Sequence, residues 1–228
     1  MSPRRSSPLS RSVEDYLKAV YALTERGEPA STSALAEALD IQPASVTGMI
    51  KRLDESGFVE HVPYRGVRLT EVGSREALRI IRRHRVLETY LSKRLGYSWD
   101  DVHHEAERLE HAASDELIDR MAASLEDPSH DPHGAPIPTS SGEIEHTDFS
   151  SLADTAENAT VEIKAVQDED SERLRYMETI GLRPGVLVTV VARAPFNGPL
   201  TVAVDGQGAS DEVIGHDLAR RIFVGQPG

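Results

Sequence analysis

The stretch Ser31-Thr-Ser-Ala-Leu-Ala-Glu-Ala-Leu-Asp40-Ile-Gln-Pro-Ala-Ser-Val-Thr-Gly-Met-Ile50-Lys-Arg-Leu-Asp-Glu-Ser-Gly57 decides how the chain is read. Ser31 and Thr32 open a short helix whose apolar face is Leu35, Ala36 and Leu39. Pro43 suits the first position of the next helix, where its fixed φ is already helical and its missing N–H costs nothing. Val46, Met49, Ile50 and Leu53 then recur at helical spacing until Gly57 stops the helix. Upstream, Val13, Tyr16, Leu17, Val20, Tyr21 and Leu23 form an apolar stripe from an expected N-cap at Ser12 to Gly27. Downstream, Phe58 to Thr70 reads as two short strands about a turn at Pro63 to Gly66.

Three helices followed by a β-hairpin is the order of a winged helix-turn-helix. The third helix carries Ser45, Thr47, Gly48, Lys51 and Arg52 on its polar side. Small polar side chains let a helix approach base edges, and Lys and Arg suit phosphates. The plain alternative is a small helical bundle with an ordinary charged surface.

The remainder extends this picture. Of 228 residues, 39% are apolar and 28% charged, with no cysteine. That length suits one large or two or three small domains. The missing thiols exclude disulfide scaffolds, thiolate zinc sites and cysteine nucleophiles, so any metal needs nitrogen and oxygen donors. No apolar run approaches the ~18–20 residues of a membrane-spanning helix. Residues 1–11, rich in Ser, Pro and Arg, read as a flexible basic arm rather than a secretory signal, which points to the cytoplasm. The net charge of −13 argues against nucleic acid, but it is unevenly spread. Residues 1–75 balance 10 Lys and Arg against 10 Asp and Glu, whereas 76–228 hold the other 15 against 28.

A long helix is expected from Glu71 to Leu95 and another from Trp99 through Leu125. Residues 128–151, crowded with Pro, Ser, Gly and His, read as a linker. Strand-like runs at 159–165, 186–192 and 200–204, with a helical piece at 172–180, suggest a small β-barrel. The domain bounds are therefore 12–73, 74–127 and 152–228, separated by that linker.

Within the second long helix, Val102-His-His-Glu-Ala-Glu-Arg-Leu-Glu-His111 carries the chemistry. With His103 at zero and ~100° per residue, Glu107 falls near about 40°, Glu110 near about −20° and His111 near about 80°. Two carboxylates and two imidazoles thus edge the apolar face of Val102, Ala106, Leu109 and Ala113. A divalent cation would offset the cost of placing them beside a core. His84 and Glu88 repeat ligand spacing on the preceding helix, and Asp15 faces the stripe of the first. A solvated acidic face with incidental histidines is the alternative. His104-Glu105 begins the H-E-x-x-H pattern of a metallohydrolase, but Arg108 holds the fifth place. His61, His130, His133, His146 and His216 read as ordinary loop or turn histidines.

Taken together, Val13-Glu-Asp-Tyr-Leu-Lys18, Gln42-Pro-Ala-Ser-Val-Thr47, Arg83-His-Arg-Val-Leu-Glu88, His103 to Glu116 and Pro132-His-Gly-Ala-Pro-Ile-Pro138 resemble the diphtheria toxin repressor family of metal-dependent transcriptional regulators, especially its manganese-responsive branch. Leu174 to Gly185 looks like the SH3-like (FeoA-like) domain of longer members. The fold implied is mainly α, a winged helix-turn-helix plus a helical dimerisation domain, with a small all-β SH3-like barrel.

The resemblance implies a primary metal site from Asp15, Glu107, Glu110 and His111. It implies an ancillary site from His84, Glu88 and His103, completed by Asp170 or its neighbours Glu169 and Glu172. In manganese-specific members the residue matching His84 joins the primary cluster. Asp15 and Glu107 stand where iron-responsive relatives use sulfur, which suits Mn²⁺, with Fe²⁺ the alternative and Zn²⁺, Co²⁺ or Cd²⁺ as in vitro substitutes. Lys18 stands where a two-ion site would place a carboxylate.

The implied partners are an operator in double-stranded DNA and a second copy in a homodimer, with no membrane and no small organic substrate. Gln42, Pro43, Ala44, Ser45 and Thr47 are expected to approach bases, and Lys51, Arg52, Arg65 and Arg68 to take phosphates. The rival functions are a metallohydrolase and a winged-helix dimer indifferent to metal.

Overall fold

A computed structural model of the chain describes residues 9–25, 27–62, 64–167, 170–206 and 211–227. The arm's residues 1–8, the expected turn proline at 63 and the candidate ligand at 169 lie outside the described residues. The chain divides into two compact units.

The N-terminal unit comprises the described residues up to His84 together with Glu110–Ala113 and Pro138–Ile144. It holds α1 (Arg11–Thr24), α2 (Thr32–Ala38), α3 (Pro43–Glu55), β1 (Val59–Val62), β2 (Gly66–Leu69) and the start of α4 (Glu71–Leu95). The N-cap of α1 is Ser10 rather than Ser12, so the helix starts a turn-fraction earlier than its apolar stripe suggested. Ser31 caps α2 as expected, its hydroxyl accepting from the Ala34 N–H at 3.1 Å. Pro43 opens α3.

Val13, Leu17 and Val20 of α1 share a core with Leu35, Val46, Ile50, Leu53, Val59, Val67 and Ile80. The antiparallel β1–β2 pair runs from Val59 opposite Leu69 to Val62 opposite Gly66. Ala30 bonds Val67 in both directions at 2.9 Å, tying the hairpin to the segment before α2. A Cβ at Gly66 would lie 2.0 Å from the Ala30 carbonyl oxygen, so only glycine fits there.

The second unit comprises Arg85–Leu109, Ser114–Ile137 and Glu145–Gly228, described to residue 227. The helix expected from Trp99 to Leu125 is broken into α5 (Val102–Leu109) and α6 (Asp115–Ser124). The cause is Ser114, an N-cap whose hydroxyl accepts from the Leu117 N–H, followed by Asp115 and Glu116 in the first turn.

The barrel-like domain follows: β3 (Ser150–Ser151), β4 (Thr160–Val166), α7 (Ser171–Thr179), β5 (Leu187–Arg193), β6 (Leu200–Val204), β7 (Glu212–Ile214), α8 (His216–Ala219) and β8 (Ile222–Gly225). Its strands form one antiparallel sheet in the order β3-β8-β4-β5-β6-β7. β7 and β8, too short to show a period, carry no expectation from the sequence. Leu152, Ile163, Leu174, Met177, Val188, Val202 and Ile222 fill the core, and Trp99 joins them.

The expected linker 128–151 is not a free tether. Residues 129–137 form a strap: the Val166 N–H donates to the His133 carbonyl at 2.8 Å and the Trp99 indole N–H to the Pro132 carbonyl at 3.1 Å. Its composition hid this, because the strap is held by backbone bonds rather than by an apolar pattern.

Candidate metal centre and nucleic-acid face

In the N-terminal unit, α1 presents Glu14, Asp15 and Lys18, α4 presents Arg83 and His84, and the turn at 110–111 presents Glu110 and His111. Glu110 is wholly buried; one carboxylate oxygen lies 2.7 Å from the Lys18 ammonium and the other 2.6 Å from His84 Nδ1. His111 Nδ1 lies 2.6 Å from Glu14 Oε2. Arg83 donates to the other Glu14 oxygen at 3.2 Å.

The remaining nitrogen of His111, Nε2, is 3.0 Å from an Asp15 oxygen and 3.4 Å from a Glu110 oxygen. It is buried and makes no hydrogen bond. Asp15, Glu110 and His111 each offer a ligand atom within 4.8 Å of the others.

These residues fit a divalent cation. With Nδ1 held against the Glu14 carboxylate, Nε2 is the nitrogen that faces Asp15 and Glu110, and a carboxylate on the far ring nitrogen is the arrangement that orients a metal-binding imidazole. Oxygen and imidazole donors without sulfur suit a hard or borderline ion. Glu107 stands one turn before Glu110 on α5, in the second unit.

In the second unit, Glu88 lies between two imidazoles. One oxygen is 3.0 Å from His103 Nδ1 and the other 3.9 Å from His133 Nδ1. Glu88, Asp131 and His133 form a buried trio with ligand atoms within 4.8 Å of one another. The Asp131 Oδ1 accepts from the His133 and Ala135 N–H groups at 2.8 and 3.0 Å, so the strap's own turn aims both side chains.

Burial, then the neighbouring Glu88 charge, raises the Asp131 pKa, against the opposing pull of Arg85 and His133. For His133, burial lowers the pKa, but the hydrogen bond and charge of Glu88 and the charge of Asp131 outweigh it, leaving a net rise. The rise at His133 reflects the two carboxylates beside it, a pair of negative charges that a cation could also offset.

Sequence reasoning missed three of these residues. Glu14 was given no role of its own, and His133 and Asp131 fell in a supposed linker. The only available signals were the i−1 position of Glu14 beside Asp15 and the Asp-x-His spacing.

A family model described as the iron dependent repressor N-terminal DNA binding domain matches residues 8–67. The iron dependent repressor metal binding and dimerisation domain matches 70–139, and the FeoA domain matches 150–225. An uncharacterized HTH-type transcriptional regulator of Methanocaldococcus jannaschii is 40% identical over 119 residues, 52% of this chain and 95% of the relative.

The chain belongs to the iron-dependent repressor family. The HTH-type transcriptional regulator MntR of Geobacillus thermodenitrificans is 37% identical over 110 residues, 48% of this chain and 77% of the relative. A solved manganese-dependent transcriptional repressor in complex with manganese superposes with a TM-score of 0.88 at 38% identity, covering 94% of this chain and 99% of the other. This member of the repressor family is a metal-dependent, DNA-binding transcriptional regulator and not an enzyme. The hydrolase alternative falls with that assignment. Among the described residues, no helix is long and apolar enough to cross a membrane.

On the repressor's DNA-binding unit, Gln42, Pro43, Ala44, Ser45, Thr47, Lys51 and Arg52 are all exposed along α3, and Arg65 is exposed in the hairpin. Arg68 is exposed too, but its guanidinium donates to the Gly27 carbonyl, which gives it a structural task beside the expected phosphate contact.

Of the C-terminal carboxylates expected near Glu88, Asp170 and Glu172 are described. Asp170 caps α7, its Oδ1 accepting from the Glu172 and Arg173 N–H groups at 2.9 and 3.1 Å. Those bonds, the Arg173 one first, hold its pKa below the usual carboxylate value. Glu172 is exposed. Among the described residues, the groups whose ligand atoms lie within 4.8 Å of one another include Glu88 with Asp131 and His133, and none includes Asp170 or Glu172.

Proposed function

We propose that this repressor-family protein binds operator DNA as a homodimer in the cytoplasm when Mn²⁺, or Fe²⁺ in its place, is held by Asp15, Glu107, Glu110 and His111. Glu88 would hold a second ion, either with His84 and His103 or with Asp131 and His133. The observation that carries the reading is the buried His111 Nε2, without a hydrogen bond and flanked by Asp15 and Glu110. When bound, a divalent ion supplies positive charge that offsets the mutual repulsion of these carboxylates.

The residues of this chain do the rest. Glu14 holds the His111 ring, and Asp15 belongs to α1, which packs through Leu17 and Val20 on the core that carries α3. A restraint on α1 is therefore felt by the recognition helix. Residues 12–73 would be the DNA-binding domain, 74–127 the dimerisation domain and 152–228 the SH3-like domain. Leu95, Tyr97, Leu109 and Leu117 remain exposed in the second, which supports a partner there. In the DNA complex, Gln42, Pro43, Ala44, Ser45 and Thr47 would read bases and Lys51, Arg52, Arg65 and Arg68 would take phosphates. A coupling of about 1–3 kcal/mol between metal and DNA is enough for a 5–150-fold effect.

The test is fluorescence anisotropy on a duplex selected from random DNA with Mn²⁺-loaded protein. Mn²⁺ should raise the wild-type affinity at least about tenfold, and Glu107→Ala and His111→Ala should each abolish that gain. Equal affinity with and without Mn²⁺ would overturn the reading in favour of a dimer indifferent to metal.

A further inference from the structure

Among the described residues, two aromatic side chains stand wholly in solvent, Tyr64 and Phe196. Each is held at positive φ, +61° and +60°, a left-handed conformation that a bulky residue adopts only at a cost. Of the two, only Tyr64 belongs to the unit that carries α3. It sits in the turn between β1 and β2, where the Arg65 N–H donates to the Val62 carbonyl at 3.0 Å and closes the chain around it. The next residues anchor that turn. Gly66 abuts the Ala30 carbonyl, Val67 is wholly buried and bonds Ala30 in both directions, and Arg68 donates to the Gly27 carbonyl. The tip is therefore placed by the body of the unit and does not swing on two short strands. Beside the ring, the Arg65 side chain is exposed. Glu60 stands opposite Arg68 in the strand register, which offsets the acid on this hairpin. A ring gains by leaving water, and a phosphate would call for the cation without the ring. An apolar wedge next to an arginine is the pairing that enters a minor groove.

We infer that Tyr64 is a specificity residue of the DNA complex: its ring enters the minor groove beside the segment read by α3 and favours A·T pairs there. The floor of that groove carries only acceptors at A·T and leaves room for a ring edge, whereas the N2 amino group of guanine projects into it. Tyr64 thereby selects by shape at base pairs that α3 does not touch, with Arg65 on the flanking phosphates. This rests on α3 docking against bases, as proposed above, and not on which residues hold the metal.

The test is anisotropy with Mn²⁺-loaded protein on the selected duplex, each A·T pair being exchanged in turn for G·C and for inosine·C. Inosine paired with cytosine presents the major groove of G·C and the minor groove of A·T, so it separates the two faces of one base pair. At the pairs met by Tyr64, G·C should cost the wild type at least about fivefold in affinity and inosine·C less than about twofold. Tyr64→Ala should bind the unmodified duplex about tenfold more weakly and should accept all three pairs alike at those positions. Tyr64→Phe, which keeps the ring, should behave as the wild type. Both variants should take up as much Mn²⁺ in equilibrium dialysis as the wild type, because the side chain they change is fully exposed. Three results would overturn the role of Tyr64: no pair at which the wild type distinguishes guanine from inosine, a distinction that survives in Tyr64→Ala, or one lost in Tyr64→Phe. Wild-type affinity in Lys51→Ala/Arg52→Ala would instead sink the docking of α3 itself.

Discussion

Glu14 illustrates how a side chain that never touches an ion can govern it. Its two oxygens are divided between Arg83 and His111, so it neutralises one buried cation and orients one imidazole. Glu14→Gln keeps the shape and one acceptor but removes the charged acceptor that holds the His111 ring in place. Partners of this kind are worth about 10–100-fold in metal affinity. Calorimetric titration with Mn²⁺ should show a loss of that size with little change in melting temperature; an unchanged affinity would reduce Glu14 to a structural residue. At this scale the sequence was half legible. Helical spacing set Glu107, Glu110 and His111 on one face, and the family resemblance implied that Asp15 joins them. Glu14 was missed, because its partners Arg83 and His111 are 69 and 97 positions away and no local period links them.

Among elements, the strap at 129–137 departs furthest from expectation. Its Gly134 has φ +85°, and a Cβ there would lie 2.0 Å from the Lys164 carbonyl oxygen of β4. That neighbour is backbone and cannot swing aside. Gly134→Ala should therefore cost about 2–4 kcal/mol, combining left-handed strain with overpacking. Trp99, the chain's only tryptophan, donates its indole N–H to the strap, so its fluorescence in a denaturant titration reports the loss directly. A midpoint equal to the wild type's would show that the strap does not bear on stability. The long α4 and the three strands β4, β5 and β6 were legible from periodicity. The break between α5 and α6 was signalled by Ser114-Asp-Glu116, a capping sequence masked by the apolar residues on either side of it.

For the whole molecule, the charge of −13 and the proposed grip on DNA are reconciled by distribution. Binding has to be local, through a face whose exposed Lys51 and Arg52 lie on one helix. Each phosphate contact contributes about 0.9 to the slope of log affinity against log salt. The double variant Lys51→Ala/Arg52→Ala should flatten that slope by nearly two, measured by anisotropy across a salt series with Mn²⁺ present. An unchanged slope would move the phosphate contacts elsewhere. Fold class was legible at this scale because each unit has its own apolar stripes and its own core. The tie between strap and barrel was not, because it is written in main-chain hydrogen bonds common to every sequence.

The donor set around His111 and Glu88 is made of carboxylates and imidazoles, in a chain with no cysteine. Thiolate centres change state when peroxide reaches them, because sulfur can be driven up a ladder of sulfenic, sulfinic and sulfonic acids or capped as a disulfide. Carboxylate oxygens have no such ladder. A regulator with such donors would have no thiol at its centre for peroxide to switch.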